Sequence, residues 1–131
     1  MRGILDTSVI IAREEDPNIE AALPEEAAIS VVTLAELHYG VLVAKTDVLR
    51  QARLRRLGEI EATFQPLPID GAVARAYAAV AHAVKTAGGT PRARVMDLWI
   101  AATAMSQGVP VFTRNQDDFK ALAALIDVRA I

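Results

Sequence analysis

Gly3-Ile4-Leu5-Asp6-Thr7-Ser8 (residues 3–8) and Pro110-Val111-Phe112-Thr113-Arg114-Asn115 (residues 110–115) share one pattern, a short apolar run that stops abruptly at polar residues. Runs of this length bounded by turn-forming residues read as buried strands, and the polar stop marks where the chain leaves the sheet. Working outward, Ala28 to Val32, Phe64 to Leu67 and Val128 to Ala130 repeat the pattern and, with Gly3 to Leu5 and Pro110 to Thr113, make the strand candidates. Longer segments of helical spacing separate them: Thr33 to Ala44, Val48 to Thr63 with Leu49, Leu54, Leu57 and Ile60, Ala72 to Ala87 with Val73, Tyr77, Val80 and Val84, and Val95 to Gln107. Strands alternating with helices predict an α/β chain, a three-layer α/β/α sandwich around a mainly parallel sheet of about five strands.

Composition limits the function classes. The chain has 131 residues, 53% of them apolar and 5% aromatic, which predicts one domain over residues 1–131, its core filled by small aliphatic side chains. It has no cysteine, so disulfides and thiolate metal sites are excluded and a reducing, cytoplasmic setting is expected. Arg13, Glu14 and Glu15 interrupt the first apolar stretch, and no run reaches the roughly eighteen apolar residues of a membrane span, so no export signal or anchor is expected. Net charge is −2, against the basic balance usual for nucleic-acid binding. Setting Asp6, Glu36, Asp97, Asp117 and Asp118 aside as metal ligands leaves the remainder net positive.

Those acids fall where a parallel sheet binds ligands, beyond the carboxyl ends of the strands. Asp6 follows the first strand, Glu36 lies one turn past the second, Asn115, Asp117 and Asp118 follow the fourth, and Asp97 opens a helix. Carboxylates gathered without lysine or arginine repel one another unless a hard divalent cation sits among them. Magnesium, with manganese as a substitute, suits an all-oxygen set, and two such ions roughly 4 Å apart activate water and stabilise the leaving oxygen of a phosphodiester.

Each residue also has a plainer reading. Asp6-Thr7-Ser8 fits a capped strand-to-helix turn, Thr33-x-x-Glu36 fits a capping box, and Asp70-Gly71-Ala72 fits the N-cap of the following helix. Asp97 resists such a reading, because Ile100, Ala101 and Ala104 share its helix face and turn it inward. His38 and His82 have no ligand-spaced companion and read as surface or core-edge residues.

Taken together, Ile4-Leu5-Asp6-Thr7-Ser8, Ile29 to Leu37 with Tyr39-Gly40, Asp97-Leu98-Trp99-Ile100-Ala101-Ala102, and Phe112-Thr113-Arg114-Asn115 with Asp118-Phe119 resemble, in order, four motifs of the PIN-domain endonucleases. The likeness is greatest to the VapC-type toxins of bacterial toxin–antitoxin pairs. It implies that Asp6, Glu36, Asp97 and Asp118 are catalytic metal ligands, supported by Thr7, Ser8, Thr113 and Asn115. Asp117 departs from the motif, leaving two adjacent acids and two candidates for the fourth ligand. The resemblance further implies cleavage of structured RNA (tRNA or rRNA), a cognate antitoxin, and a homodimer that assembles with it into a heterotetramer or larger.

Arg92, Arg94 and Arg114 flank the acidic motifs and are candidate contacts to RNA phosphates, although solvated arginines, or an Arg114 that neutralises nearby acids, fit as well. Arg50, Arg53, Arg55 and Arg56 lie opposite the apolar face of their helix, and the pair from Thr33 to Thr63 is a candidate groove for an antitoxin helix. Competing readings are an idle RNA-binding or regulatory module and a phosphatase using Asp6 as nucleophile, the latter lacking a second acid at Ser8.

Overall fold

A computed structural model describes residues 2–131. Strand β1 (Arg2–Leu5) leads into helix α1 (Thr7–Glu15), and β2 (Glu26–Ala28) into α2 (Val31–Leu42), α3 (Asp47–Thr63) and α4 (Gly71–Thr86). Helix α5 (Val95–Gln107) precedes β3 (Val111–Thr113), and β4 (Val128–Ala130) closes the chain. The sheet is four-stranded, in the order β2-β1-β3-β4, and every pairing is parallel.

The strands are short, and the sheet is buried on both faces. Successive side chains point to opposite faces. Ile4 and Val111, paired in register, join Val73, Val80, Leu98, Ile100 and Leu122 in one core cluster, while Leu5 and Phe112 join Val9, Ile10, Ile19, Leu57 and Ile60 in the other. Helices α4 and α5 therefore cover one face and α1 and α3 the other, which is the three-layer sandwich expected. Helix α5 is buried on nearly every side, its Ala101, Ala102 and Ala104 allowing close approach to the sheet, and Tyr77 of α4 stacks on its Trp99 at 3.9 Å between ring centroids. It ends at Gly108, whose φ of 67° places it in the left-handed region that favours glycine.

Three expectations shift. The segment Phe64 to Leu67 is not a strand: it makes one isolated bridge, Ser30 with Leu67, because Pro66 and Pro68 on either side of Leu67 have no N–H to offer. The second strand ends at Ala28 and not Val32, since the Ser30 hydroxyl accepts from the Val32 N–H at 3.0 Å and starts α2 before the β-branched pair Val31-Val32 can extend the strand. Helix α1 was not among the expected helices, because Val9-Ile10-Ile11-Ala12 run consecutively and hide the helical period. Asp70 does cap α4, its Oδ1 accepting from the Val73 N–H at 3.0 Å.

Gly3 permits the closest approach in the sheet. A Cβ there would lie 2.5 Å from Cε1 of Phe112, whose ring is buried, whereas Gly58, exposed within α3, has open space around it. Gly3→Ala is expected to cost about 1–3 kcal/mol through overpacking. Gly58→Ala is expected to add roughly 0.5–1 kcal/mol by restricting the unfolded chain. Thermal unfolding of the two variants beside the wild type checks the opposite signs.

Candidate functional site

The chain runs from β1 to β2 on one side of β1 and later returns to place β3 on the other. The carboxyl ends of β1 and β3 thus form a topological switch point, where departing segments diverge and leave a crevice. Asp6 and Thr113 stand at its two lips.

Asp6, only 4% exposed, is the N-cap residue of α1, yet its side chain caps nothing. Its Oδ2 instead accepts from the hydroxyls of Ser8 (2.7 Å) and Thr113 (2.9 Å). Ser8 Oγ accepts in turn from the Arg114 N–H, and Thr113 Oγ1 from the Asn115 N–H. Among the described residues, Oδ1 of Asp6 has no hydrogen-bond donor. The second carboxylate is fixed from α1: the Thr7 hydroxyl donates to Oε1 of Glu36 at 2.8 Å and lies 3.0 Å from Oγ1 of the buried Thr33. Thr33 therefore sits inside α2, beside the site, and Thr33-x-x-Glu36 is no capping box because Ser30 already caps the helix.

Asp97 lies in the first turn of α5, half-buried, as its helix face predicted. Burial, then the charges of Asp6, Asp118 and Glu36, push its carboxyl up to about 6, and only Arg94 acts in the opposite direction. Glu36 is likewise raised, first by burial and then by Asp6, against the lowering effect of the Thr7 hydrogen bond. Four carboxylates from four segments thus share one electrostatic environment. Asp118 belongs to it, partly buried in the 3₁₀ turn Gln116–Leu122, whereas Asp117 beside it is exposed and does not act on Asp97.

The residues suit a hard divalent cation. Among the described residues no lysine or arginine forms an ion pair with Asp6, Glu36 or Asp97. The buried Asp6 keeps an undonated oxygen. Among the described residues no group of three or more His, Asp or Glu is placed to hold a metal ion, so the fit rests on the chemistry of the donors, carboxylate oxygens that prefer a hard cation.

Of the three expected arginines, Arg94 donates from Nη1 to Oδ1 of Asp118 at 2.8 Å, Arg114 reaches Asp16 at 3.9 Å, and Arg92 is exposed on the rim. The Asn115 side chain is exposed, so its contribution comes through the backbone N–H. His38 lies on the surface 3.3 Å from Glu61. Thr33 and the partners of Arg94 and Arg114 were not legible in the sequence, because each depends on segments brought together only by folding.

An acid-lined switch point in a parallel α/β/α sandwich defines the class, and the PIN domain family model matches residues 3–125. The chain belongs to the PIN domain family. It is similar to Ribonuclease VapC5 of Mycobacterium tuberculosis, 44% identical across 98% of this chain and 93% of that protein, and to Ribonuclease VapC4 of the same organism, 38% identical across 99% and 95%. Its fold is similar to a chain in the crystal structure of VapBC-5 from Mycobacterium tuberculosis, a member of the VapBC family of toxin-antitoxin systems. The TM-score is 0.83 and the identity 42%, covering 99% of this chain and 97% of that one.

The elevated Asp97 carboxyl has a consequence for stability. Because the folded state holds a proton up to about pH 6 and an unperturbed carboxyl only to 3.8, stability falls as pH rises between those values, and the full penalty stands above pH 6. Asp97→Asn removes it, so the metal-free variant should be more stable than wild type at pH 7 by about 1 kcal/mol after solvent screening of this half-exposed group. Thermal melts in chelator should show a gain of about 4 °C at pH 7 that vanishes below about pH 4.

Proposed function

We propose that the chain is a divalent-metal-dependent endoribonuclease, the toxin of a VapBC-type toxin–antitoxin pair, acting on structured RNA such as tRNA or rRNA in the cytoplasm. The observation that carries this reading is the convergence of Asp6, Glu36 and Asp118 on Asp97, three of the four having no ion-paired lysine or arginine among the described residues. The ribonuclease names of its relatives support it, as does the absence, among the described residues, of any helix long and apolar enough to cross a membrane.

Magnesium, or manganese in its place, would supply the charge needed to activate water and stabilise a leaving oxygen. Asp6, Asp97 and Asp118 would hold it, with Glu36 binding a second ion or orienting water. Ser8 and Thr113 hold the Asp6 carboxylate through Oδ2, and Oδ1 accepts no hydrogen bond among the described residues. Thr7 holds Glu36 by Oε1, leaving its other oxygen to accept from water. Arg92, exposed at the rim, would contact phosphates flanking the scissile bond.

The partner reading rests on the connection between α2 and α3. Tyr39 and Leu42 on α2 and Val48 and Leu54 on α3 are 66%, 77%, 80% and 57% exposed, apolar side chains of one helix pair that would meet the apolar face of an antitoxin helix. Leu57 and Ile60 of the face read from sequence are buried instead. Arg50 and Arg53 tie α3 to α2, donating to the carbonyls of Ala44 (3.1 Å) and Gly40 (2.6 Å) near the end of α2. Dimerisation and assembly into a heterotetramer or larger belong to the same proposal.

Incubation of antitoxin-free protein with end-labelled tRNA and rRNA should give discrete cuts in Mg²⁺ or Mn²⁺ and none in chelator. Asp97→Asn should cut at least about a hundredfold more slowly. Equal cutting by both proteins, or persistence in chelator, would overturn the nuclease reading. Separately, Leu42→Glu combined with Val48→Glu should weaken antitoxin affinity by about a hundredfold or more with circular dichroism unchanged; undiminished binding by calorimetry would move the antitoxin elsewhere.

A further inference from the structure

We propose that Arg94 is a positioning residue that aims the Asp118 carboxylate into the site, a role resting on the nuclease reading above and different from the phosphate contact expected of it. The turn that carries Asp118 is anchored from behind by Phe119 and Leu122, both buried in the core, but its leading end is uncapped. Its N-cap, Asn115, offers no side-chain hydrogen bond, and the Asp118 N–H reaches only the Asn115 carbonyl at 3.0 Å. Arg94 constrains the Asp118 side chain itself. Its Nη1 donates to Oδ1 of Asp118 at 2.8 Å and to the main-chain oxygen of Asp118 at 3.1 Å. Gripping a side-chain and a main-chain oxygen of one residue with one nitrogen fixes the side chain relative to its backbone, and Oδ2 has no donor among the described residues.

The origin of Arg94 gives the grip its meaning. It stands at the boundary between the 3₁₀ turn Pro91–Arg94 and α5, three positions before Asp97. The helix that carries Asp97 therefore also holds Asp118, from a segment 24 residues further along the chain. Core packing of Phe119 and Leu122 places the turn beside α5, and the Arg94 arm ties the Asp118 carboxylate to the same helix end that bears Asp97. The pair is 42% and 41% exposed, and exposed ion pairs add little to global stability. Its value lies in orientation, as for other residues that hold a metal-binding carboxylate from behind.

A double-mutant cycle of Arg94→Ala and Asp118→Ala tests this with two readouts: Mn²⁺ affinity by electron paramagnetic resonance, which needs no turnover, and kcat and KM on a cleaved RNA. Arg94→Ala should weaken Mn²⁺ binding and lower kcat by roughly tenfold with KM unchanged. In the Asp118→Ala background the same change should cost no more than about twofold, because nothing is left to aim. A raised KM, unchanged or tighter Mn²⁺ binding, or an undiminished loss in the Asp118→Ala background would overturn the proposal. Amide exchange of the metal-free protein gives an independent answer: residues 116–122 should exchange faster in Arg94→Ala, and equal rates would overturn it too. A wild type that cuts no RNA but shows the coupled Mn²⁺ cycle would sink the nuclease reading and leave the Arg94 role standing. A cutting wild type with an additive cycle would do the reverse.

Discussion

Asp6 is a carboxylate enclosed at the end of a central strand, and one of its oxygens accepts two hydroxyl hydrogen bonds, from Ser8 on α1 and Thr113 on β3. Burying that charge is costly unless donors meet it, and hydrogen bonds to charged groups are about twice as strong as neutral ones. Ser8 reaches Asp6 locally, but the Thr113 donor is in place only while β1 and β3 keep their register, Ile4 opposite Val111 and Leu5 opposite Phe112. Gly3 makes room for the Phe112 ring on the same pair of strands. The geometry of the site and the packing of the sheet therefore depend on one another at a single strand pair.

Helix α5 extends the same logic. Leu98, Ile100, Ala101, Ala102 and Ala104 bury it between α4 and the sheet, so Asp97 is delivered by an element with almost no freedom to shift. The helix N-terminus favours an anion there, but burial and three neighbouring acids outweigh it and leave the carboxyl raised. Rigid placement of like charges is a cost to the empty fold and an asset to a cation, the usual trade between stability and function at a binding site.

The sheet and the acids were legible in sequence to the extent that their signals were local. Residues 3–5 and 110–113 announced themselves by an apolar run and a polar stop, and Asp97 by the three apolar residues on its own face. Asp118 could not be separated from Asp117, since the choice depends on the orientation of a 3₁₀ turn against α5. Glu36 was ambiguous for a related reason: Thr33 and Ser30 both precede it at cap-like positions, and only the Ser30–Val32 hydrogen bond shows which one begins the helix. Residues 64–67 have strand-like composition, yet Pro66 and Pro68 leave Leu67 the one N–H of residues 66–68, a loss that could be read in the sequence itself. The Arg94 grip joins segments that sequence spacing cannot bring together.

The two outer strands, β2 and β4, are three residues long. Beyond β2, the proline-flanked Leu67 supplies a single bridge, and on β4 the charged Arg129 pairs with Asp127 at the strand's entrance. Such margins are too short and too charged to recruit a strand from another molecule. Growth of the sheet from chain to chain is disfavoured at both margins, which leaves the helical layers as the broader surfaces on which another molecule can settle.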